Sequence, residues 1–224
     1  MEKIALISDI HGNLINIKEQ CDVFIIAGDW SPLYCQIDPY RMLSWIKFRF
    51  IPWMKTINAE YIIFIAGNHD FVCTFSWFND ELNKAIDFCD VKNIYYLNDS
   101  SVTINGIKFY GTPNNESPRG WAYAKEYNQV YNFDKDTDVL ITHQPPKIGN
   151  VGFVKQNNIE LGSDILKQAI KKSNITLNIC GHIHTGEHKE TLLKLNNGKF
   201  TRVYNVSLLN EDYMPSYDPT IINI

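Results

Sequence analysis

The chain has 224 residues, 45% of them hydrophobic and 21% charged, with 21 Lys and Arg against 25 Asp and Glu for a formal net charge of −4. This balance suits a single globular domain over residues 1–224 and argues against a disordered chain or a basic surface for long nucleic acid or an anionic membrane. Five widely spaced cysteines with no Cys-x-x-Cys argue against a disulfide framework or a cysteine zinc site, and the lack of an 18-residue apolar run or a secretory-type opening gives a cytoplasmic expectation.

Short Ile- and Val-rich runs, each ending in a polar cluster, punctuate the chain. Lys3–Ser8 leads into Asp9-Ile10-His11-Gly12-Asn13, and Asn13–Gln20 reads as a short helix. Val23–Ala27 leads into Gly28-Asp29, and the aromatic-rich stretch Asp38–Ile57 reads as a long helix broken or kinked near Pro52. Tyr61–Ala66 leads into Gly67-Asn68-His69-Asp70, with a helix predicted over Trp77–Cys89. Ser101–Ile104 and Ile107–Gly111 flank Asn105-Gly106, the preferred type I′ hairpin pair. Val139–Thr142 leads into His143, and Ser163 caps a helix over Ser163–Lys172. Ile175–Cys180 leads into Gly181-His182-Ile183-His184, and a second hairpin is predicted from Thr191–Leu195 and Lys199–Tyr204 around Asn196-Asn197-Gly198. The apolar runs lack clean alternation, as strands buried on both faces do, so the fold class is α/β with helices covering a mixed sheet or a pair of sheets.

Five of the six histidines (His11, His69, His143, His182 and His184) sit just after predicted strands, together with Asp9, Asp29, Asn68 and Asp70. In open α/β sheets ligands bind beyond the carboxyl ends of the strands. Clustered carboxylates repel one another and buried imidazoles need partners, and divalent cations relieve both penalties. Imidazole with carboxylate suits Zn, Mn or Fe rather than Ca. Asp9-x-His11 and His182-x-His184 each put two side chains on one side of an extended segment, to chelate one ion or serve two. A lone carboxylate such as Asp29 can bridge two ions about 3.5–4 Å apart.

These blocks, in this order, resemble the calcineurin-like dinuclear metallophosphoesterases: Asp9-Ile10-His11, Gly28-Asp29, Gly67-Asn68-His69-Asp70, His143 and Gly181-His182-Ile183-His184. Phe109-Tyr110-Gly111-Thr112-Pro113, Thr142-His143-Gln144-Pro145-Pro146 and Asn205-Val206-Ser207 look like the small subgroup of metallophosphoesterase-domain proteins typified by brain-expressed animal members. The resemblance implies a sandwich of two mixed β-sheets flanked by helices, with a dinuclear site at the carboxyl ends of the strands. One ion would take Asp9, His11, His184 and bridging Asp29, and the other Asp29, Asn68, His143 and His182. Two divalent ions are implied, with Mn the first choice in an assay and Fe, Zn, Co or Ni also suited to the donors. The implied reaction is hydrolysis of phosphodiesters, cyclic nucleotides included, or of phosphomonoesters, by a hydroxide bridging the metals. In that scheme His69 donates to a phosphate oxygen or protonates the leaving group, and Asp70 holds its other ring nitrogen. Asn68 and His69 would also meet the substrate.

Arg119 is a candidate bidentate donor to a substrate phosphate, weighed against a solvated loop residue. Trp30, directly after Asp29, is a candidate base-stacking residue at the rim, whereas most of the other aromatics of residues 34–53 read as core and His188 as solvated. The partner expected is a small phosphoester rather than long nucleic acid or a membrane. The competing functions are a non-catalytic scaffold for protein binding and a Ser/Thr protein phosphatase. The second loses support because Gly28-Asp29 continues as Trp30-Ser31-Pro32-Leu33, where those phosphatases carry a segment ending Asp-Arg-Gly.

Overall fold

A computed structural model describes residues 2–88, 93–116, 120–124 and 131–224. Its strands are β1 Lys3–Ile7, β2 Cys21–Ala27, β3 Ala59–Ile65, β4 Ile94–Tyr96, β5 Ser100–Ile104, β6 Ile107–Thr112, β7 Val139–Thr142, β8 Phe153–Val154, β9 Ile159–Glu160, β10 Leu177–Cys180, β11 Thr191–Lys194, β12 Phe200–Asn205 and β13 Thr220–Asn223. Its α-helices are α1 Pro39–Trp45, α2 Ile51–Met54, α3 Ser76–Phe88 and α4 Asp164–Lys171. One sheet runs β13-β1-β2-β3-β4 and a second runs β11-β12-β10-β7-β6-β5, while β8 and β9 form a small ribbon. Both large sheets are mixed. β1 to β4 are parallel with β13 antiparallel at the edge, and β6, β7, β10 and β12 are parallel with β5 and β11 antiparallel outside them.

Side-chain alternation explains why the sheets stack. Ile4 and Leu6 of β1, Val23 and Ile25 of β2 and Ile63 and Ile65 of β3 share one buried cluster with Phe109, Val139, Ile141, Leu177 and Ile179 of the other sheet. The intervening residues Ala5, Ile7, Phe24, Ile26 and Phe64 face the opposite way, into the layer formed with Met42, Trp45, Phe50, Phe78 and Leu82 of the helical segments. Behind the second sheet, Leu140, Cys180 and Val203 pack on Leu166 and Ile170 of α4. Strands covered on both faces carry no polar alternation, in keeping with the continuous apolar runs. Each fully buried Ile, Leu, Val or Phe stabilises this arrangement by roughly 1.5–3 kcal/mol.

Local chemistry sets most element ends. Asp38 caps α1 by accepting from the backbone N–H groups of Tyr40 and Arg41, both at 3.1 Å, and Pro39 follows at the first helical position. The expected kink at Pro52 takes the form of a π-helical stretch, Ile46–Phe50, between α1 and α2. Such widening absorbs the hydrogen bond that a proline cannot make. Ser163 Oγ caps α4 by accepting from the Leu166 N–H at 2.9 Å. Asn105 and Gly106 have φ of 51° and 83°, as a type I′ hairpin requires. The helix predicted over Asn13–Gln20 is absent. Asn13 turns back on the Ile10 carbonyl through both its backbone and its side chain, and the segment is irregular, pinned by buried Ile17 and by the Trp53 indole donating to the Ile15 carbonyl at 2.7 Å. Among the described residues no helix is long and apolar enough to cross a membrane.

Candidate metal centre

β1, β2, β3, β7 and β10 end at one rim, and a residue one to three positions after each end carries the chemistry: Asp9, Asp29, Asn68, His143 and His182. The turns are sharp. Asp9, His11, Asp29 and His182 all adopt left-handed backbone, with φ of 54°, 41°, 51° and 70°. Side-chain residues are uncommon in that region, and such strain concentrates at functional sites. Asp9 and His11 are therefore not the extended pair expected of residues i and i+2. Their loop is laced to the neighbouring one instead, with Asp9 N–H donating to the Gly28 carbonyl and His11 N–H to the Asp29 carbonyl, both at 3.0 Å. Space at the rim is tight: a Cβ on Gly67 would lie 2.2 Å from Asp29 Oδ1, and one on Gly181 would lie 2.1 Å from Ser8 Oγ. Glycine is required at both positions.

Each carboxylate has one oxygen anchored and one aimed inward. Asp9 Oδ2 accepts from the His182 N–H at 2.9 Å and the Ser207 hydroxyl at 2.7 Å, leaving Oδ1 to face His184 Nε2 at 3.5 Å and His143 Nε2 at 4.0 Å. Asp29 Oδ1 accepts from the His69 N–H at 2.7 Å, leaving Oδ2 to face His143 Nε2 at 3.3 Å and His11 Nε2 at 3.8 Å. The imidazoles are oriented from behind. His143 Nδ1 donates to the Ala27 carbonyl at 2.9 Å and His184 Nδ1 to the Asn210 carbonyl at 2.8 Å, which turns both Nε2 atoms toward the carboxylates. This backing is the usual way a protein fixes a ligating histidine. Asn68 Oδ1 stands 2.8 Å from both His143 Nε2 and His182 Nδ1.

Burial and proximity reshape every titration here. Burial works to raise Asp29, but the His143 and His11 rings hold its carboxyl down at about 2. Burial likewise opposes ionisation of Asp9, yet His184, His143 and His11 keep it well below the usual carboxylate range. Burial disfavours the His143 cation, and Asp29 and Asp9 overcome this and push it up to about 10. His184 rises to about 9 against its burial because Asp9 faces it. Burial and the His143 cation drive His182 the other way, to about 4.

The cage still leaves polar atoms unpaired. Asp9 Oδ1 and both ring nitrogens of His11 are buried with no hydrogen-bond partner among the described residues. An unsatisfied buried group costs about 1–3 kcal/mol, and a cation held among these three atoms would relieve that cost. Two overlapping donor groups fit a cation: Asp9, His11 and His184, and Asp9, Asp29 and His143, the donor atoms of each lying within 4.8 Å of one another. The imidazole–carboxylate donor set suits first-row divalent ions. Asp9 belongs to both groups, whereas the bridging position expected from sequence is that of Asp29, whose Oδ2 also faces histidines on both sides.

Asp9, His11, Asp29, Asn68, His69, His143, His182 and His184 thus converge. Three other expectations are corrected. Asp70 does not hold the His69 ring: its Oδ1 accepts from the Ser31 N–H at 3.0 Å and its Oδ2 from the Gly67 N–H at 2.7 Å, and burial beside Asp29 raises it to about 7. The His69 Nδ1 partner is Gln36 Oε1, at 2.8 Å. Trp30 is fully buried, stacked on Phe50 at 4.8 Å and Trp45 at 6.1 Å, so it is core and not rim. His188 is half-buried, with its ring 3.7 Å from that of Tyr217, and burial lowers it to about 4. Arg119 lies outside the described residues. Sequence reasoning missed Gln36, Ser207, Asn210, Trp121 and Tyr213. Of these, only Ser207 carried a signal, as part of Asn205-Val206-Ser207 after β12.

Two stacked mixed sheets with an imidazole–carboxylate cage beyond the parallel strand ends define a metallophosphoesterase-type sandwich. The chain belongs to the calcineurin-like phosphoesterase family, whose profile matches residues 2–186. It is similar to metallophosphoesterase domain-containing protein 1 of Homo sapiens, at 27% identity over 99% of this chain and 71% of that protein. A UPF0046 protein of Caenorhabditis elegans is 30% identical over 99% of this chain and 80% of its own length. A crystal structure from Thermus thermophilus superposes with a TM-score of 0.59 at 12% identity, covering 99% of this chain and 98% of that one, a likeness of fold.

Proposed function

We propose that this chain is a metal-dependent phosphoesterase acting on small phosphoesters, phosphodiesters (cyclic nucleotides among them) ahead of monoesters, as a single cytoplasmic domain. The observation that carries the reading is the pair of donor groups meeting at Asp9 with buried donor atoms left unpaired. Asp9, His11, Asp29, Asn68, His143, His182 and His184 would hold two divalent ions, with Mn, Fe, Zn, Co and Ni all compatible with these donors. Once bound, the ions would supply Lewis acidity, charge neutralisation at phosphorus and activation of water as nucleophile. The protein's own groups do the rest. Ser207 and the His182 N–H fix Asp9, and the His69 N–H fixes Asp29, so neither carboxylate reorganises during turnover. With Nδ1 of His69 held by Gln36, Nε2 is the atom left to meet a phosphate oxygen or pass a proton to the leaving oxygen.

Hydrolysis of bis-p-nitrophenyl phosphate with added Mn²⁺, paired with metal analysis, tests this reading. Turnover is expected, EDTA should abolish it, and Asp29→Asn and His143→Ala should lose both metal and activity. Full activity in either variant overturns the ligand set. A metal-loaded protein that cleaves no member of a panel of cyclic nucleotides, diesters and monoesters overturns the enzyme reading in favour of a scaffold.

A further inference from the structure

Two half-exposed aromatic rings stand against His69. Trp121 meets it edge-on with ring centroids 4.7 Å apart, backed by Phe71 at 5.9 Å. Tyr213 stands nearly perpendicular to three site histidines, 4.9 Å from His11, 5.6 Å from His184 and 6.4 Å from His69. Trp121 is 40% exposed and Tyr213 38%, so each still shows part of its ring to solvent.

Both are held there by the site. The Ala122 N–H, next to Trp121, donates to the carbonyl of Asn68 at 3.2 Å, and Asn115 Nδ2 donates to the Ala122 carbonyl at 2.9 Å. Tyr213 has φ of 58°, a left-handed conformation that bulky residues rarely adopt. Its turn is closed by Asn210, whose side-chain oxygen accepts from the N–H groups of Asp212 and Met214, both at 3.0 Å, and whose carbonyl accepts from His184 Nδ1 at 2.8 Å. One residue thus orients a site histidine and sets the turn that places Tyr213 over it. Tyr213 also lies beyond residues 2–186, the span the family profile matches.

We infer that Trp121 and Tyr213 grip the planar organic group of the substrate, making the site selective for phosphoesters that carry an aryl ring or a nucleobase. This rests on the phosphoesterase reading. Phosphate would sit at the cage, and the group esterified to it would begin one bond away, beside His69. The half-exposed rings against His69 offer π surface to whatever leaves there. Stacking accepts any flat ring, whereas an alkyl ester has no π face to offer.

The test compares Trp121→Ala and Tyr213→Ala with the wild type in two measurements. The first is kcat and KM for bis-p-nitrophenyl phosphate against the alkyl diester sn-glycero-3-phosphoethanolamine. The second, which needs no turnover, is calorimetric binding of adenosine 5′-monophosphate against inorganic phosphate to the Mn²⁺-loaded protein. Each alanine should raise KM for the aryl ester and Kd for the nucleotide by about 5- to 150-fold, the range for one stacked base, with a clearly smaller change for the alkyl ester and phosphate. Trp121→Phe and Tyr213→Phe should recover most of the loss. Equal losses on aryl and alkyl ligands, or no loss on either, overturn the inference. If the wild type hydrolyses neither ester, the phosphoesterase reading falls, while the nucleotide-to-phosphate ratio of Kd still decides the clamp.

Discussion

Gln36 Oε1 lies 2.8 Å from His69 Nδ1, so an amide from the loop between β2 and α1 holds the ring expected to rest on Asp70. The Gln36 carbonyl also accepts from the Val72 N–H at 3.3 Å, which docks the residue on the His69 loop. A neutral amide orients an imidazole without stabilising its cation as a carboxylate would. Gln36→Ala should lower kcat by about 10- to 100-fold, as loss of an orienting partner does, with metal content unchanged. Gln36→Glu should keep the orientation, favour the His69 cation and move the alkaline limb of the kcat profile to higher pH. A kcat–pH profile with parallel metal analysis checks both, and unchanged kcat in the alanine variant would remove Gln36 from the site's machinery.

Gly181 is predicted to tolerate no side chain. Its Cβ would lie 2.1 Å from Ser8 Oγ and 2.2 Å from Asp9 Oδ2, the oxygen that Ser207 and His182 anchor. Gly181→Ala should destabilise the fold by about 1–3 kcal/mol through overpacking and weaken ion binding by displacing Asp9. Urea unfolding with and without Mn²⁺ reads both effects, and a variant matching wild type in each would contradict the packing described.

The pH dependence of the ion-free protein has a definite sign. His143 and His184 are raised to about 10 and about 9, above the ordinary value of 6.5, so their stabilisation is full below pH 6.5 and is lost as pH rises through 9 to 10. His182 is lowered to about 4, so its contribution is lost as pH falls from 6.5 toward 4. Ions need unprotonated imidazoles, so binding releases protons and strengthens as pH rises. The difference in Tm between Mn²⁺-loaded and EDTA-treated protein should therefore widen from pH 6.5 to about 9. A constant or narrowing difference in thermal melts across that range would contradict the ionisation states described.

Trp30 separates core from site. Fully buried against Phe50, Trp45 and Phe64, it should cost about 3–5 kcal/mol when replaced by alanine, and much less when replaced by phenylalanine. KM for an aryl ester should not change in Trp30→Phe. Denaturant unfolding and Michaelis kinetics on that variant check the assignment, and a raised KM would return Trp30 to the rim.

The donor cage was legible because its residue types are sparse and strand topology carries them to one rim. Sequence adjacency misled where the backbone turns. Left-handed Asp29, with φ of 51°, sends Trp30 inward rather than along the rim, and Asp70 folds back onto its own loop at Gly67 instead of reaching His69. The supporting residues were illegible for a different reason. Gln36 meets His69 across 33 positions and Ser207 meets Asp9 across 198, and neither a glutamine in a loop nor the Asn205-Val206-Ser207 motif names the partner it will meet.

Periodicity and turn chemistry were enough to state an α/β fold with helices over a mixed sheet or a pair of sheets. The order of Asp, Asn and His after apolar runs was enough to bring them to one rim, while the two-sheet sandwich and the ligand set followed from the resemblance those blocks carry. Those features are local, and each block carries its own strand, turn and donor. Tertiary structure alone decided which oxygen of each carboxylate is free, which atom holds His69, and that Trp121 and Tyr213, rather than Trp30, stand at the mouth. Those outcomes depend on contacts between loops that are distant in the chain, set by how two sheets pack and not by any pattern along one of them.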